Sequence, residues 1–66
     1  MKARADDSFG HTDHPLIGRP VVDTRSLREG ELRAVLIEES GARTAYIRGR
    51  DHREFETPVD CVRAAR

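Results

Sequence analysis

The sequence has few of the side chains that build large cores or covalently stabilise small ones. Its 66 residues include one cysteine, one tyrosine, two phenylalanines and no tryptophan, and apolar residues make up 36%. The single cysteine, Cys61, excludes an intrachain disulfide and a cysteine-based metal framework. A chain of this length buries only about 60% of the surface that it exposes when unfolded, so we expect one small domain with about a dozen core side chains.

The sequence also lacks an excess of charge of either sign. Twelve basic and twelve acidic residues give a formal net charge of zero. Proteins that hold nucleic acid by general electrostatic attraction show a basic excess, which this chain does not have. No apolar run approaches the roughly 20 residues of a membrane-spanning helix, and no signal-peptide pattern follows the charged amino terminus. We therefore expect a cytoplasmic protein that does not bind a membrane.

None of the common catalytic motifs is present. The sequence has no Gly-rich phosphate loop, no Gly-x-Ser-x-Gly and no His-Glu-x-x-His. A nucleophilic cysteine needs a neighbouring base, and nothing in the sequence places His52 near Cys61. We interpret Cys61 as a small buried apolar side chain. The sequence thus predicts a protein that is not an enzyme and needs no cofactor.

Residues 1–15 are polar and show no periodicity, which predicts a disordered leader. This segment contains five potential metal ligands, namely Asp6, Asp7, His11, Asp13 and His14. A metal site needs fixed geometry and supporting hydrogen bonds, which a disordered leader does not supply. We therefore predict no metal site, and we place the folded domain at residues 16–66.

Short β-branched stretches separated by turn residues are typical of strands. The predicted strands are residues 21–25, 31–39, 42–48, 53–57 and 61–64. A connector that ends at Gly30 joins the first two strands. Pro58 suits the start of a single helical turn before the last strand. Residues 65–66 are expected to fray.

The assignment of residues 31–39 decides the fold. Leu32, Val35 and Leu36 have the spacing of a helix face, but only ten residues separate Gly30 from Gly41, so length favours a strand. A turn at Ser40-Gly41 then pairs this strand with residues 42–48 in a hairpin. The sum is an all-β, five-stranded SH3-like barrel, which limits exposed sheet edges by closing on itself.

Two stretches of the sequence resemble PRC-barrel domains. Residues 16–23, LIGRPVVD, are similar to the family's first strand, and residues 57–63, TPVDCVR, look like its closing stretch. Residues 46–49 and 53–55 also resemble strands of small barrel proteins of high-GC bacteria. The resemblance implies a PRC-barrel-like, non-catalytic domain that docks on other proteins, and it implies no catalytic residues.

One basic cluster is the best candidate for a binding surface. Within eleven residues it combines four arginines, a tyrosine and a histidine with a single acid, Asp51. The candidate binding residues are Arg43, Tyr46, Arg48, Arg50, His52 and Arg53. Tyrosine and arginine are enriched at the centres of protein interfaces. The same pair can hold phosphate and stack on a base, and a solvated surface without a partner is the third interpretation.

The sequence therefore predicts a small non-catalytic module that docks on a protein partner through this Arg/Tyr surface. The alternative is a nucleic-acid-binding barrel that uses the same patch. Self-association also stays open, because Phe9, Leu27 or Leu32 could be left exposed on the folded domain. On the strand at residues 53–57, we expect Phe55 to point inward and Glu54 and Glu56 outward, where they could pair with Arg43 or Arg48.

Overall fold

The computed structural model describes residues 10–65, and these form an all-β protein. The strands, numbered in chain order, are β1 (Gly10–Thr12), β2 (Pro20–Asp23), β3 (Glu29–Ile37), β4 (Arg43–Gly49), β5 (Glu54–Pro58) and β6 (Val62–Ala64). A single 3-10 turn at Val59–Cys61 precedes β6. The all-β prediction, the extended rather than helical conformation of residues 31–37 and the helical turn before the last strand are confirmed, whereas residues 38–39 of the predicted strand lie beyond the end of β3.

All the strands pair antiparallel in one sheet of order β5-β4-β3-β2-β6, with β1 added beside β3. β4 occupies one edge of β3, and β2 and β1 share the other edge, β2 along Glu29–Glu31 and β1 along Val35–Ile37. The register of β3 against β4 shifts at Arg33, between Leu32 and Ala34. Such a bulge bends a strand and increases its twist. The nine-residue β3 is therefore the bent centre of the sheet.

The bend curls the sheet around one small core. Thr57 of β5 lies 2.9 Å from Asp23 of β2, although these strands are three positions apart in the sheet. In a flat sheet that separation would be about 14 Å. The fully buried apolar side chains are those of Val21, Leu32, Val35, Ala45 and Ile47, and Leu16, Phe55, Val59 and Val62 pack against them.

β1 is the main departure from the sequence prediction. Gly10–Thr12 lie in the segment assigned to the leader, yet they form a sixth strand. The linker to β2 is tied to β3 as well, because Gly18 N–H donates to the Leu32 carbonyl at 2.8 Å and Leu32 N–H donates to Arg19 at 3.2 Å. The four-residue β2 is too short to cover the edge of a nine-residue strand, and β1 covers the remainder. Residues 1–9, including Phe9, lie outside the described part of the chain.

The bounds of all five predicted strands differ by one or two residues from those in the structure, and two of these differences have a clear cause or consequence. β2 ends at Asp23 and not at residue 25, because the Asp23 carboxylate accepts hydrogen bonds that turn the chain there. Gly30 does not end the connector but lies within β3, directly opposite Gly49 of β4.

The carboxyl-terminal end differs in two further ways. Cys61 belongs to the 3-10 turn and is half-buried rather than fully buried. Ala65 is not frayed, since its N–H donates to the Pro20 carbonyl at 3.0 Å. Across residues 10–65, no helix has the length and apolar character needed to cross a membrane.

Candidate functional site

β4 and the turn after it carry all six predicted binding residues. Along β4 the side chains alternate, so Ala45 and Ile47 face the core while Tyr46 and Arg48 lie on the opposite, outer face of the sheet. Tyr46 is half-buried and Arg48 is exposed. The structure thus brings Tyr46 and Arg48 together on the outer face, as the sequence predicts.

The rest of the outer face comes from the strands on either side of β4. Arg48 stands between Glu31 of β3 and Glu54 of β5. Tyr46 stands between Ala34 of β3 and Glu56 of β5. The pairing of Glu54 with Arg48 in the register agrees with the sequence expectation. The outer face is therefore an aromatic centre surrounded by charges of both signs, and not a basic surface.

Tyr46 keeps its phenol proton under physiological conditions. Burial raises the pKa of Tyr46 above its ordinary value of 10.0, and the negative charges of Glu56 and Glu38 raise it further. Both influences disfavour the phenolate. Burial removes the water that would solvate its negative charge, and the two carboxylates repel that charge. The hydroxyl of Tyr46 is therefore available as a hydrogen-bond donor at the surface.

Arg50, His52 and Arg53 lie exposed in the turn between β4 and β5. The turn is closed by the Gly49 N–H, which donates to the Arg53 carbonyl at 2.8 Å, and by the Arg53 N–H, which donates to Asp51 Oδ1 at 3.1 Å. These bonds hold the backbone of the turn, with His52 at a positive φ of 67°. The basic side chains of the turn are therefore attached to an ordered backbone.

Arg43 is separated from the other candidates. It begins β4 whereas the turn follows the end of that seven-residue strand, so about 20 Å of extended chain lies between them. Arg43 lies two residues before Ala45, so its side chain is on the same face of β4 as Ala45 and on the opposite face from Tyr46. The structure does not bring Arg43 into the same surface.

The structure adds a basic residue that the sequence prediction did not include. The Arg28 guanidinium carbon lies 3.9 Å from the centroid of the Phe55 ring, in a cation–π contact. Next to it, Arg50 Nη2 lies 3.3 Å from Glu29 Oε1. The first contact joins the β2–β3 loop, residues 24–28, to β5, and the second joins the β4–β5 turn to the start of β3. We call this region the arginine end, defined by Arg28, Arg50 and Arg53.

A buried carboxylate fixes the β2–β3 loop. Asp23 is only 4% exposed and accepts hydrogen bonds from Ser26 Oγ at 2.7 Å, Thr57 Oγ1 at 2.9 Å and the Arg25 N–H at 3.3 Å. The bond from Ser26, with support from the other two, lowers the pKa of Asp23 although burial opposes the charged form. The carboxylate is therefore ionised at neutral pH and holds the loop. Asp23 and Ser26 could be recognised in the sequence as a turn pair, but Thr57 could not.

Of the leader's potential metal ligands, the structure describes His11, Asp13 and His14. Among residues 10–65, no three His, Cys, Asp or Glu side chains converge as ligands would. His14 has a local role instead, since its Nδ1 accepts a hydrogen bond from the Leu16 N–H at 3.1 Å. Asp6 and Asp7 lie outside the described residues.

Comparisons with known proteins find no family model that matches the chain, no similar curated protein and no similar solved structure. The resemblance to PRC-barrel domains therefore stays a prediction. The function has to be inferred from the geometry of this chain alone.

Proposed function

We propose that this chain is a non-catalytic cytoplasmic docking module that binds a protein partner through Tyr46, Arg48 and the adjoining β4–β5 turn. We further propose that the curled sheet is an SH3-like barrel. Its strand order, with β6 next to β2 and one 3-10 turn before β6, supports this assignment. Fold alone is weak support for function, so the proposal depends on the surface.

The observation that carries the proposal is the position of Tyr46. It is the only tyrosine of the chain, and it lies at the centre of the outer face rather than in the core. A tyrosine on a rigid strand offers a large contact area and loses little conformational entropy on binding. Arg48, two residues further along the same face, is the other residue type that is enriched at binding hot spots.

The charges of the outer face favour a protein partner over nucleic acid. Glu31 and Glu54 stand on either side of Arg48, and Glu56 stands beside Tyr46. Carboxylates in these positions repel a phosphate backbone and weaken the electrostatic attraction on which nucleic-acid binding depends. A protein surface, which carries both signs of charge, can satisfy this arrangement.

The test compares two variants of equal charge change. The protein and its variants capture partners from a native lysate, and the captured protein is then purified and titrated against each variant. Tyr46→Ala combined with Arg48→Glu should weaken binding by at least about tenfold, as expected for hot-spot residues. Arg43→Glu, at the other end of β4, should leave the affinity unchanged.

Two results would contradict the proposal. One is equal affinity for the wild type and the double variant, with melting curves that show both to be folded. The other is a gel shift with short RNA or DNA that weakens steeply with salt, which would assign the surface to nucleic acid.

A further inference from the structure

The arginines on and beside the outer face each have a carboxylate next to them. Arg33, at the bulge of β3, places its Nη1 3.4 Å from Glu31 Oε2. Arg48 stands opposite Glu54 in the register of β4 against β5. A further ion pair, at the arginine end, was described above. The positive charges of this face are therefore matched within the chain, and a partner need not supply carboxylates for them.

Two carboxylates of the outer face have no cation beside them. Glu56 of β5 lies directly opposite Tyr46. Glu38 follows the end of β3 and lies two residues beyond the outward Leu36, so alternation places it on the same face. No ion pair of residues 10–65 includes either carboxylate. The outer face thus carries two unmatched negative charges, one on each side of β4.

Two arginines of neighbouring segments do not neutralise these carboxylates. Arg25 lines an open cleft with Glu56, but the two form no ion pair, and the charge of Arg25 acts on the buried Asp23 carboxylate. Arg43 lies on the opposite face of β4 from Tyr46. The charge that remains on the outer face is therefore negative, and it is concentrated around Tyr46.

The unmatched carboxylates act on the Tyr46 side chain from both neighbouring strands. Burial, then the charges of Glu56 and Glu38, raise the pKa of Tyr46, so both carboxylates lie within electrostatic reach of its hydroxyl. The face of an aromatic ring is itself a region of negative potential that attracts cations. A cation over the Tyr46 ring would be attracted by the ring and by the two carboxylates together.

The arrangement fits a guanidinium group better than an ammonium group. A guanidinium is planar, stacks on aromatic rings and presents several N–H donors to carboxylates, whereas an ammonium is a strongly hydrated point charge. The chain already uses this contact elsewhere, since the Arg28 guanidinium carbon lies 3.9 Å from the centroid of the Phe55 ring. At Tyr46 the chain provides the ring and the carboxylates, and the guanidinium has to come from outside.

We propose that the outer face binds an arginine side chain of the partner protein, which stacks on Tyr46 between Glu38 and Glu56. This inference rests on the proposed function, that the chain docks on a protein through this face. A second copy fits less well, because a closed two-fold dimer would bring the same unmatched carboxylates together. Of the leucines considered for self-association, Leu32 is fully buried, and Leu27, although 76% exposed, belongs to the β2–β3 loop and not to this face.

Small probes test the arginine site directly. The protein is titrated with Nα-acetyl-arginine methylamide, and NMR follows the ring resonances of Tyr46, the only tyrosine of the sequence. The matched control is Nα-acetyl-citrulline methylamide, which has nearly the same shape as the arginine probe and no charge. The arginine probe should bind at least about threefold more tightly than the citrulline probe, and also more tightly than the corresponding lysine probe.

A pair of double variants locates the site on the protein. Glu38→Gln with Glu56→Gln should abolish the preference for arginine over citrulline and weaken binding of the captured partner about tenfold. Glu39→Gln with Asp60→Asn makes the same change in charge at exposed positions outside β3, β4 and β5, and should leave both measurements unchanged. Melting curves should show that all the variants are folded.

The partner supplies the second half of the test. The exposed arginines of the captured partner are replaced by alanine one at a time, and each variant is titrated against the wild-type chain and against Glu38→Gln with Glu56→Gln. One arginine should lose affinity for the wild type about tenfold but lose much less against the double variant, because the two changes remove the same contact.

The inference is overturned if the citrulline or the lysine probe binds as tightly as the arginine probe, or if no arginine of the partner couples to the carboxylates. Dimerisation of the wild type that Glu38→Gln with Glu56→Gln abolishes would assign the face to a second copy and overturn it as well.

The proposed function fails separately from this inference. If Tyr46→Ala with Arg48→Glu abolishes capture of the partner and Glu38→Gln with Glu56→Gln does not, the outer face is the docking surface but has no arginine site. If neither double variant changes capture, the proposed function fails. The partner arginine then falls with it, even where the arginine probe binds.

Discussion

The hydroxyl of Thr57 donates a 2.9 Å hydrogen bond to the buried carboxylate of Asp23, and so joins β5 to β2. In the described sheet β5 forms backbone hydrogen bonds only with β4, so this contact joins two strands that are not paired with each other. The same carboxylate also receives the Ser26 hydroxyl, which shapes the β2–β3 loop. One side chain therefore fastens the curled sheet and positions the loop that carries Leu27.

Removal of the Thr57 hydroxyl should destabilise the fold. Thr57→Val keeps the shape of the side chain but leaves the charged Asp23 with one partner fewer, so the free energy of unfolding should fall by about 1.5–3 kcal/mol. Urea denaturation measures this change. Thr44→Val on the outer face is the control and should change stability by less than about 0.5 kcal/mol. If the two variants lose the same free energy of unfolding, the buried hydrogen bond does not stabilise the fold more than an ordinary surface hydroxyl does.

The lowered pKa of Asp23 makes stability depend on pH in the acid range. Because the folded-state pKa lies below the ordinary value of 3.8, the unfolded chain binds a proton more readily than the folded one. The stabilisation is therefore complete above about pH 5 and is lost as the pH falls through and below 3.8. In Asp23→Asn this contribution should be absent, and the fall in unfolding free energy from pH 5 to pH 3 should be shallower than in wild type. Parallel pH curves for the two proteins would contradict the prediction.

The titration of Tyr46 reports on the outer face. Since Tyr46 is the only tyrosine of the sequence, the ultraviolet absorbance of the phenolate follows the ionisation of this residue alone. Its midpoint should lie above 10.0 in the folded protein and return toward that value in urea. Glu56→Gln should lower the folded midpoint, whereas Glu29→Gln, at the arginine end, should not. A folded midpoint at or below the unfolded one would show that the phenol is neither desolvated nor close to these carboxylates.

Gly30 is required by the close approach of β3 and β4. A Cβ at this position would overlap the Arg48 carbonyl oxygen and lie 2.7 Å from Ile47 Cγ2. Gly30→Ala should therefore cost about 3 kcal/mol of unfolding free energy, at the upper end of overpacking effects. Gly49, its partner in the register, has its nearest neighbour at 3.1 Å, so Gly49→Ala should cost less. Thermal unfolding of both variants checks this order, and a reversed order would contradict it.

Local pattern was sufficient to predict most of the sheet. β-branched residues indicate the strands, Ser40-Gly41 indicates the hairpin turn, and alternation along the strand indicates that Phe55 points inward. β1 could not be predicted in this way, because three residues of sequence Gly-His-Thr have no strand pattern of their own. They form a strand because the far half of β3 needs a partner along its edge.

The candidate site could be predicted only in part. Alternation places Tyr46 and Arg48 on one face and separates Arg43 from them. The pairing of Glu54 with Arg48 agrees with the expectation from alternation, whereas the position of Glu31 beside Arg48 depends on the register of β3 against β4, which shifts at Arg33. The contact of Arg28 with Phe55 likewise requires the curl of the whole sheet.

The central place of β3 also determines the order in which the sheet can assemble. β3, β4 and β5 follow one another through short turns, so they can form an early three-stranded nucleus at little cost in loop entropy. β6 must wait, because Arg63 pairs with Val22 from the opposite end of the domain. We expect the amide protons of β3 and β4 to exchange slowest with solvent, and the final closure by β6 to limit the rate of folding.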